Sequence, residues 1–362
     1  MKTNYNQLTF AREFRGISQS ELAGKINGLS QSNLSKYEKG LQTLSSDLLV
    51  RIMDYLDFPV SFLEVSISNN IESAHYRKKA SLKKGIRNEI ERQIKLIGYM
   101  VDCMSSELEF PPLLIKQFDQ ESALTPEEIA DYARRFFNLG GNPVKDIYTM
   151  METAGIIVVE KSFMCDDFDA VSFLTDGGSY VIVINKNYSN DRKRFTLAHE
   201  LGHIVMHLGA LDCRRGDKEK EDEANRFAQE FLLPKKYIMK SLVDLKLSHL
   251  SSMKGYWLTS MASIVRRAKS LGVIDDSRYK YFNIELSRNG FRKHEPVEVP
   301  IDAPTLFKEA YRLFTSELGY TDGDISKAFY LPLDVVENIF NDSYESRLRY
   351  KFAKAFCENK AI

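Results

Sequence analysis

The run Arg194-Phe195-Thr196-Leu197-Ala198-His199-Glu200-Leu201-Gly202-His203 constrains this chain more than any other stretch. Leu197, Ala198, Leu201, Ile204 and Val205 recur at helical spacing and predict a buried helix. On an α-helix, residues four apart lie one above the other on one face. His199 and His203 can therefore offer two imidazole nitrogens to one metal ion. Glu200, beside the first of them, reaches a water on that ion without ligating it. That is the layout of a zinc hydrolase with the glutamate as general base. The chain has six histidines in 362 residues, so two at ligand spacing beside a glutamate are a poor fit to chance. Gly202 reads as a point where another backbone or a ligand comes close.

A catalytic zinc takes three protein ligands and keeps one position open. Downstream, Ala224, Phe227, Ala228, Phe231 and Leu232 recur at helical spacing and predict a second core helix that ends before Pro234. Glu221 lies one turn before Asn225 on that helix. A Glu ligand followed by an amide suits the chemistry, because the amide can bond the free ring nitrogen of a ligating histidine and hold its tautomer. Glu221 is thus the expected third ligand and Asn225 its outer support. Glu223 is the rival, about 200° around the helix from Glu221. His207 continues the histidine stripe, but a straight helix carries it another ~6 Å from His203. It is expected to line the helix end or the cleft. Cys213 sits in a polar loop and reads as an ordinary surface thiol.

The first sixty-odd residues make a separate case. Leu8, Ala11, Phe14 and Ile17 form an apolar stripe. Ser18 with Glu21 reads as a capping box, Asn27-Gly28 as a turn, Ser30 as the cap of a third helix and Gly40 as its stop. Between inward Leu34 and Tyr37, that helix carries Gln31, Ser32, Asn33, Ser35 and Lys36. Short polar side chains with one cation suit a recognition helix in the major groove of DNA. Gln19, opening the preceding helix, is placed to touch the DNA backbone. Charge gives no footprint here, because acidic and basic residues balance. The run Arg77, Lys78, Lys79, Lys83, Lys84 and Arg87 reads as a solvated helix face.

At this length two or three domains are expected. The 43% hydrophobic and 28% charged content is that of a soluble protein, and the formal net charge of zero favours neither nucleic acid nor membrane. No apolar run nears the ~20 residues of a membrane span. The N-terminus lacks the apolar core of a signal peptide, and the four scattered cysteines fit a reducing cytoplasm. The fold class expected is mainly α with a small β-sheet, α+β. The divisions read as 1–65, a five-helix DNA-binding domain; 66–125, a helical connector; 126–240, a hydrolase domain; and 241–362, a mostly helical region. Strands are expected at 156–159, 170–174 and 180–184, the last two joined as a hairpin through Asp176-Gly177-Gly178. No internal repeat is evident.

Through Ser18 to Ala23 and Ser30 to Gly40, the N-terminal part resembles the XRE/Cro helix-turn-helix family, with a turn one residue longer than the usual pattern. Through Arg194 to His203 and Glu221 to Pro234, residues from about 128 to 235 resemble the ImmA/IrrE metallopeptidases. The resemblance implies a zincin-like, Zn²⁺-dependent endopeptidase fused to a DNA-binding domain, with His199, His203 and Glu221 as ligands and Glu200 as catalytic base. It implies a double-stranded DNA operator and a protein substrate, itself a regulator, as partners, and relief of repression by cleavage. Palindromic operators would add a homodimer. The alternative is a repressor or antitoxin-like protein whose metal site is sensory or structural.

Overall fold

The computed structural model describes residues 4–67, 84–118, 122–163, 165, 167–208 and 216–340. Cys213 and most of the basic run, Arg77 to Lys83, lie outside the described residues. Contacts divide the chain into two units. The second unit, residues 109–307, is inserted between parts of the first.

The first unit begins with α1 (Tyr5–Phe14), α2 (Gln19–Lys25), α3 (Gln31–Glu38) and α4 (Ser46–Tyr55), followed by a 3-10 helix at Val60–Glu64 that supplies the fifth helix. Ser18, Ser30 and Ser45 each cap a helix by accepting the amide three residues on. Leu8, Ala11, Leu22, Leu34 and Ile52 are fully buried between these helices. Phe10, Phe14, Phe58 and Phe62 form an aromatic cluster beside them. The unit also contains α5 (Lys84–Ser105) and, among the described residues, 308–340. Parts of the segments assigned from sequence to a connector and to a C-terminal region therefore pack with the N-terminal helices.

In the second unit, α6 (Pro126–Phe136) starts at a complete capping box between Thr125 and Glu128. Next come α7 (Ile147–Thr153), β1 (Ile156–Lys161), β2 (Ala170–Leu174) and β3 (Tyr180–Asn185). β-Branched residues dominate β1 and β3, as a buried sheet favours, while Val171 is the single one in β2. The order is β1-β3-β2, with β3 parallel to β1 and antiparallel to β2. The hairpin expected at Asp176-Gly177-Gly178 forms, with Gly178 at φ 90. Then follow α8 (Asn190–Met206), α9 (Asp217–Leu232), α10 (Lys235–Leu242), α11 (Leu247–Trp257), α12 (Met261–Ser270) and α13 (Asp276–Arg288). From Lys193 to Met206, only Phe195 on α8 is not buried, so the helix is core on every side.

Gly202 serves a different purpose from the one expected. A Cβ there would lie 3.0 Å from Phe227 Cδ1, so the missing side chain admits the α9 ring and not a ligand. Phe227 is fully buried and stacked on Phe231, so it has little room to retreat. At the other end of α8, Arg194 is fully buried. Its guanidinium donates to the carbonyls of Leu258 at 3.0 Å and Lys145 at 2.8 Å, to Pro300 at 3.4 Å, and to Val144. One side chain thereby ties three separate loops to α8. Burial pulls its pKa down to about 10, against the nearby charge of Asp302 and Asp146, so it stays protonated at neutral pH. An ammonium has neither the donors nor the planar spread to replace it. Arg194→Lys is therefore expected to destabilise this unit by about 2–4 kcal/mol, since each buried carbonyl left without a donor costs roughly 1–3 kcal/mol. Calorimetry should show a Tm lower by about 5–10 °C; an unchanged Tm would remove the clamp from this account.

Candidate metal centre

Helix geometry and helix packing together assemble three donors. On α8, the Nε2 atoms of His199 and His203 approach to 3.1 Å. From the start of α9, Glu221 brings Oε2 to 3.4 Å from His199 Nε2 and Oε1 to 3.3 Å from His203 Nε2. Among the described residues this trio forms the one group of three or more His, Cys, Asp or Glu side chains able to hold a metal ion. Ligands about 2.0–2.1 Å from a tetrahedral zinc stand roughly 3.3–3.4 Å apart. The two His–Glu spacings match that figure and the His–His spacing of 3.1 Å is slightly shorter, and a His₂Glu set leaves a fourth position open. Burial alone would raise the Glu221 carboxyl, but its bonds to both histidines outweigh this and hold it well below the ordinary carboxylate range.

The far side of His203 is built for one tautomer. Its Nδ1 lies 2.9 Å from His207 Nδ1, and His207 Nε2 lies 3.0 Å from Glu223 Oε2. A carboxylate only accepts. His207 Nε2–H therefore donates to Glu223, and His207 Nδ1 accepts from His203 Nδ1–H. The chain of bonds leaves the His203 Nε2 lone pair directed at Glu221 and His199. Sequence reasoning gave tautomer support to Asn225, which sits half-buried one turn past Glu221. The structure places His207 on the far side of the His203 ring, a partner that sequence reasoning did not assign. It also separates the two glutamates that sequence left as rivals: Glu221 joins the trio of candidate donors and Glu223 meets His207 behind it. His207, the C-cap of α8, stays out of the donor trio, as straight-helix geometry requires, and its ring meets only the far nitrogen of His203. His199 Nδ1 is buried without a hydrogen-bond partner among the described residues.

Glu200 is buried and accepts from Ser172 Oγ at 2.6 Å. Ser172 is the middle residue of β2, and it too is fully buried. Burial pushes the Glu200 carboxyl up to about 7, while His199 and Ser172 favour its charged form. Nothing in the period-2 pattern of β2 marks Ser172 as a site residue. Its one signal is a hydroxyl at an inward position of an otherwise apolar strand.

In the first unit, a polar chain sets the face of α3. Arg12 pairs with Glu38 through two bonds of 2.6 and 2.9 Å. Glu38 accepts from Gln19 Nε2 at 2.6 Å, and Gln19 Oε1 accepts from Gln31 Nε2 at 2.9 Å. Gln19 is thus committed to α3. Gln31 keeps its carbonyl oxygen and one N–H for an outside partner. Gln31, Ser32 and Lys36 are exposed, and Asn33 and Ser35 half-buried.

Residues 10–63 match the helix-turn-helix family, and residues 151–269 match the peptidase family described as the IrrE N-terminal-like domain. The chain joins a helix-turn-helix to an IrrE-like domain. No curated protein matches it. The pairing makes the chain a DNA-binding regulator with a domain of a metallopeptidase family. Among the described residues, no helix is long and apolar enough to cross a membrane.

The bonds behind His203 in the IrrE-like domain generate a measurable expectation. Removing an outer partner of a metal-bound histidine typically weakens metal binding about 10–100-fold. Glu223→Gln and His207→Phe should each weaken zinc binding by that factor in chelator competition, with the fold intact by circular dichroism. Zinc affinity equal to wild type in both variants would show that these groups do not orient the ligand.

Proposed function

We propose that this chain is a transcriptional regulator whose IrrE-like domain is a zinc-dependent endopeptidase acting on a partner regulatory protein. The observation that carries the proposal is the convergence of His199, His203 and Glu221 with a buried Glu200 beside them. A zinc ion held by that trio would lower the pKa of a water and polarise a peptide carbonyl. Glu200 takes the proton of the attacking water and delivers it to the leaving amine. Burial favours the proton-carrying form of this carboxyl while His199 and Ser172 favour the charged one, and a group poised between the two forms suits both halves of that transfer. Ser172 fixes which carboxylate oxygen is engaged by the strand and which is left for the proton.

The substrate reading rests on β2. Among the described residues β2 pairs with β3 and stands at the end of the sheet. An extended peptide added along an edge strand is held by main-chain hydrogen bonds. Because Ser172 of β2 bonds Glu200, a peptide on that edge would run past the catalytic carboxylate. Specificity would then come from the side-chain pockets of one partner, which fits a narrow, regulatory protease. In the DNA-binding unit, Gln31, Ser32, Asn33, Ser35 and Lys36 would contact an operator. Gln19 would act by holding Gln31, with its expected phosphate contact secondary to that. The proposed setting is the cytoplasm, where the operator is.

The test compares new protein N-termini in cells carrying wild type or Glu200→Gln, across several stresses. One protein cleaved only in wild type is the expected result, while purified Glu200→Gln retains zinc. Identical N-termini in both strains under every condition would overturn the peptidase reading. They would favour a repressor in which the metal is sensory or structural.

A further inference from the structure

After the IrrE-like domain, the chain re-enters the first unit with α14 (Leu306–Arg312), which continues through a π turn at Leu313–Glu317, then α15 (Asp322–Ala328) and α16 (Leu333–Phe340). From the end of its first helix onward, this segment repeats the caps and buried positions of α2 and α3. Each first helix ends at a left-handed glycine, Gly16 or Gly319, both at φ 70. Two residues later a hydroxyl caps the next helix: Ser18 Oγ accepts from Glu21 N at 3.1 Å, and Thr321 Oγ1 from Asp324 N at 3.2 Å. The second helices, α2 and α15, each have seven residues, and their fourth residues, Leu22 and Ile325, are both fully buried. Each turn contains one left-handed residue, Gly28 at φ 84 or Tyr330 at φ 54, followed by a buried leucine, Leu29 or Leu331. The fourth residues of the third helices, Leu34 and Val336, are again both fully buried. The turn is five residues at 26–30 and four at 329–332. The second copy therefore lacks the extra residue of the first.

The chemistry of the two third helices diverges. Where α3 has Gln31, Ser32, Asn33, Ser35 and Lys36, α16 has Leu333, Asp334, Val335, Glu337 and Asn338. Residues 5–40 hold five basic and three acidic side chains; residues 306–340 hold three basic and six acidic. DNA phosphates would be repelled by the second copy. Its third helix already has a protein partner. Asp334, at the position of exposed Ser32, takes two bonds from Arg15 at 2.6 and 3.0 Å. The same guanidinium donates to Leu56 O at 2.7 Å and Asp57 O at 2.9 Å, and stacks over Phe14 and Phe58. Val335, at the position of half-buried Asn33, is 2% exposed. The helix α5 bonds both copies, through Arg92 to Glu13 at 3.2 Å and through Tyr99 Oη to the Phe329 carbonyl at 3.0 Å.

We infer that the segment from Leu306 to Phe340 is a second helix-turn-helix module that docks on the first and does not read DNA. Its recognition helix is the docking element, and its partner is the Arg15 corner of the chain's own N-terminal module. The DNA-binding unit is completed from both ends of the described chain, around the inserted IrrE-like domain. This inference does not depend on peptidase activity.

Two experiments on the full chain test it. A photo-crosslinking residue placed at Ser35 or at the equivalent Glu337 is irradiated with a pool of mixed-sequence DNA duplexes. Labelling from position 35 and none from position 337 is expected; comparable labelling from 337 overturns the inference. For docking, Arg15→Ala, Asp334→Ala and the double variant are compared by thermal unfolding of the DNA-binding unit. The double variant should lose no more Tm than Arg15→Ala alone, because the pair shares one interaction. Strictly additive losses overturn the docking.

Discussion

The approach of α9 to α8 is the constraint on which the candidate site depends. Two imidazoles on one helix supply two donors, and the third must come from another helix at a separation set within a few tenths of an ångström. Gly202 makes that separation small by leaving room for Phe227. Phe227 is in turn held by its stack on Phe231 and by full burial. Close-packed interiors transmit such displacements, because there is no slack to absorb them. A side chain at 202 would push on the same contact that sets the reach of Glu221.

Burial then decides how each polar group behaves. α8 carries Arg194, His199, Glu200 and His203 through the core, and a buried polar group without a partner is costly. Arg194 meets loop carbonyls, Glu200 meets Ser172 and His203 meets His207. The partners of Arg194 and Glu200 come from other elements, so these two residues also cross-brace the fold, whereas His207 is the end of α8 itself. The same burial raises Glu200 toward neutrality, whereas Glu221, at the ends of two histidine bonds, is held charged. Two carboxylates a few residues apart in space are thus prepared for different work, one as a proton carrier and one as a permanent anion.

Much of this was legible in the amino-acid sequence. β1 and β3 fall where β-branched runs stand and β2 on a short, mostly apolar run, and the caps at Ser18 and Ser30 lie where a hydroxyl precedes a helical pattern. His199 and His203 face one way because a helix permits nothing else at that spacing. Illegible were the partners. His207 was set aside as a ligand on straight-helix geometry and stays out of the trio, but helical spacing alone did not show that its ring would meet the far nitrogen of His203. Ser172 carries no periodic signal. The second helix-turn-helix was hidden because its α16 has apolar and acidic residues where α3 has amides and hydroxyls, so side chains conceal a likeness that resides in φ values and caps.

The sequence by itself determined the local elements and the spacing of the histidine pair, since both follow from interactions within a few residues along the chain. Only the tertiary structure decided that Glu221 and not Glu223 joins the pair, that Ser172 meets Glu200, and that Asp334 meets Arg15. These contacts join residues 18, 28 and 319 positions apart. Helical period fixes direction around an axis. It carries no information about which neighbouring helix arrives, or at what height, because that is settled by how the buried faces pack.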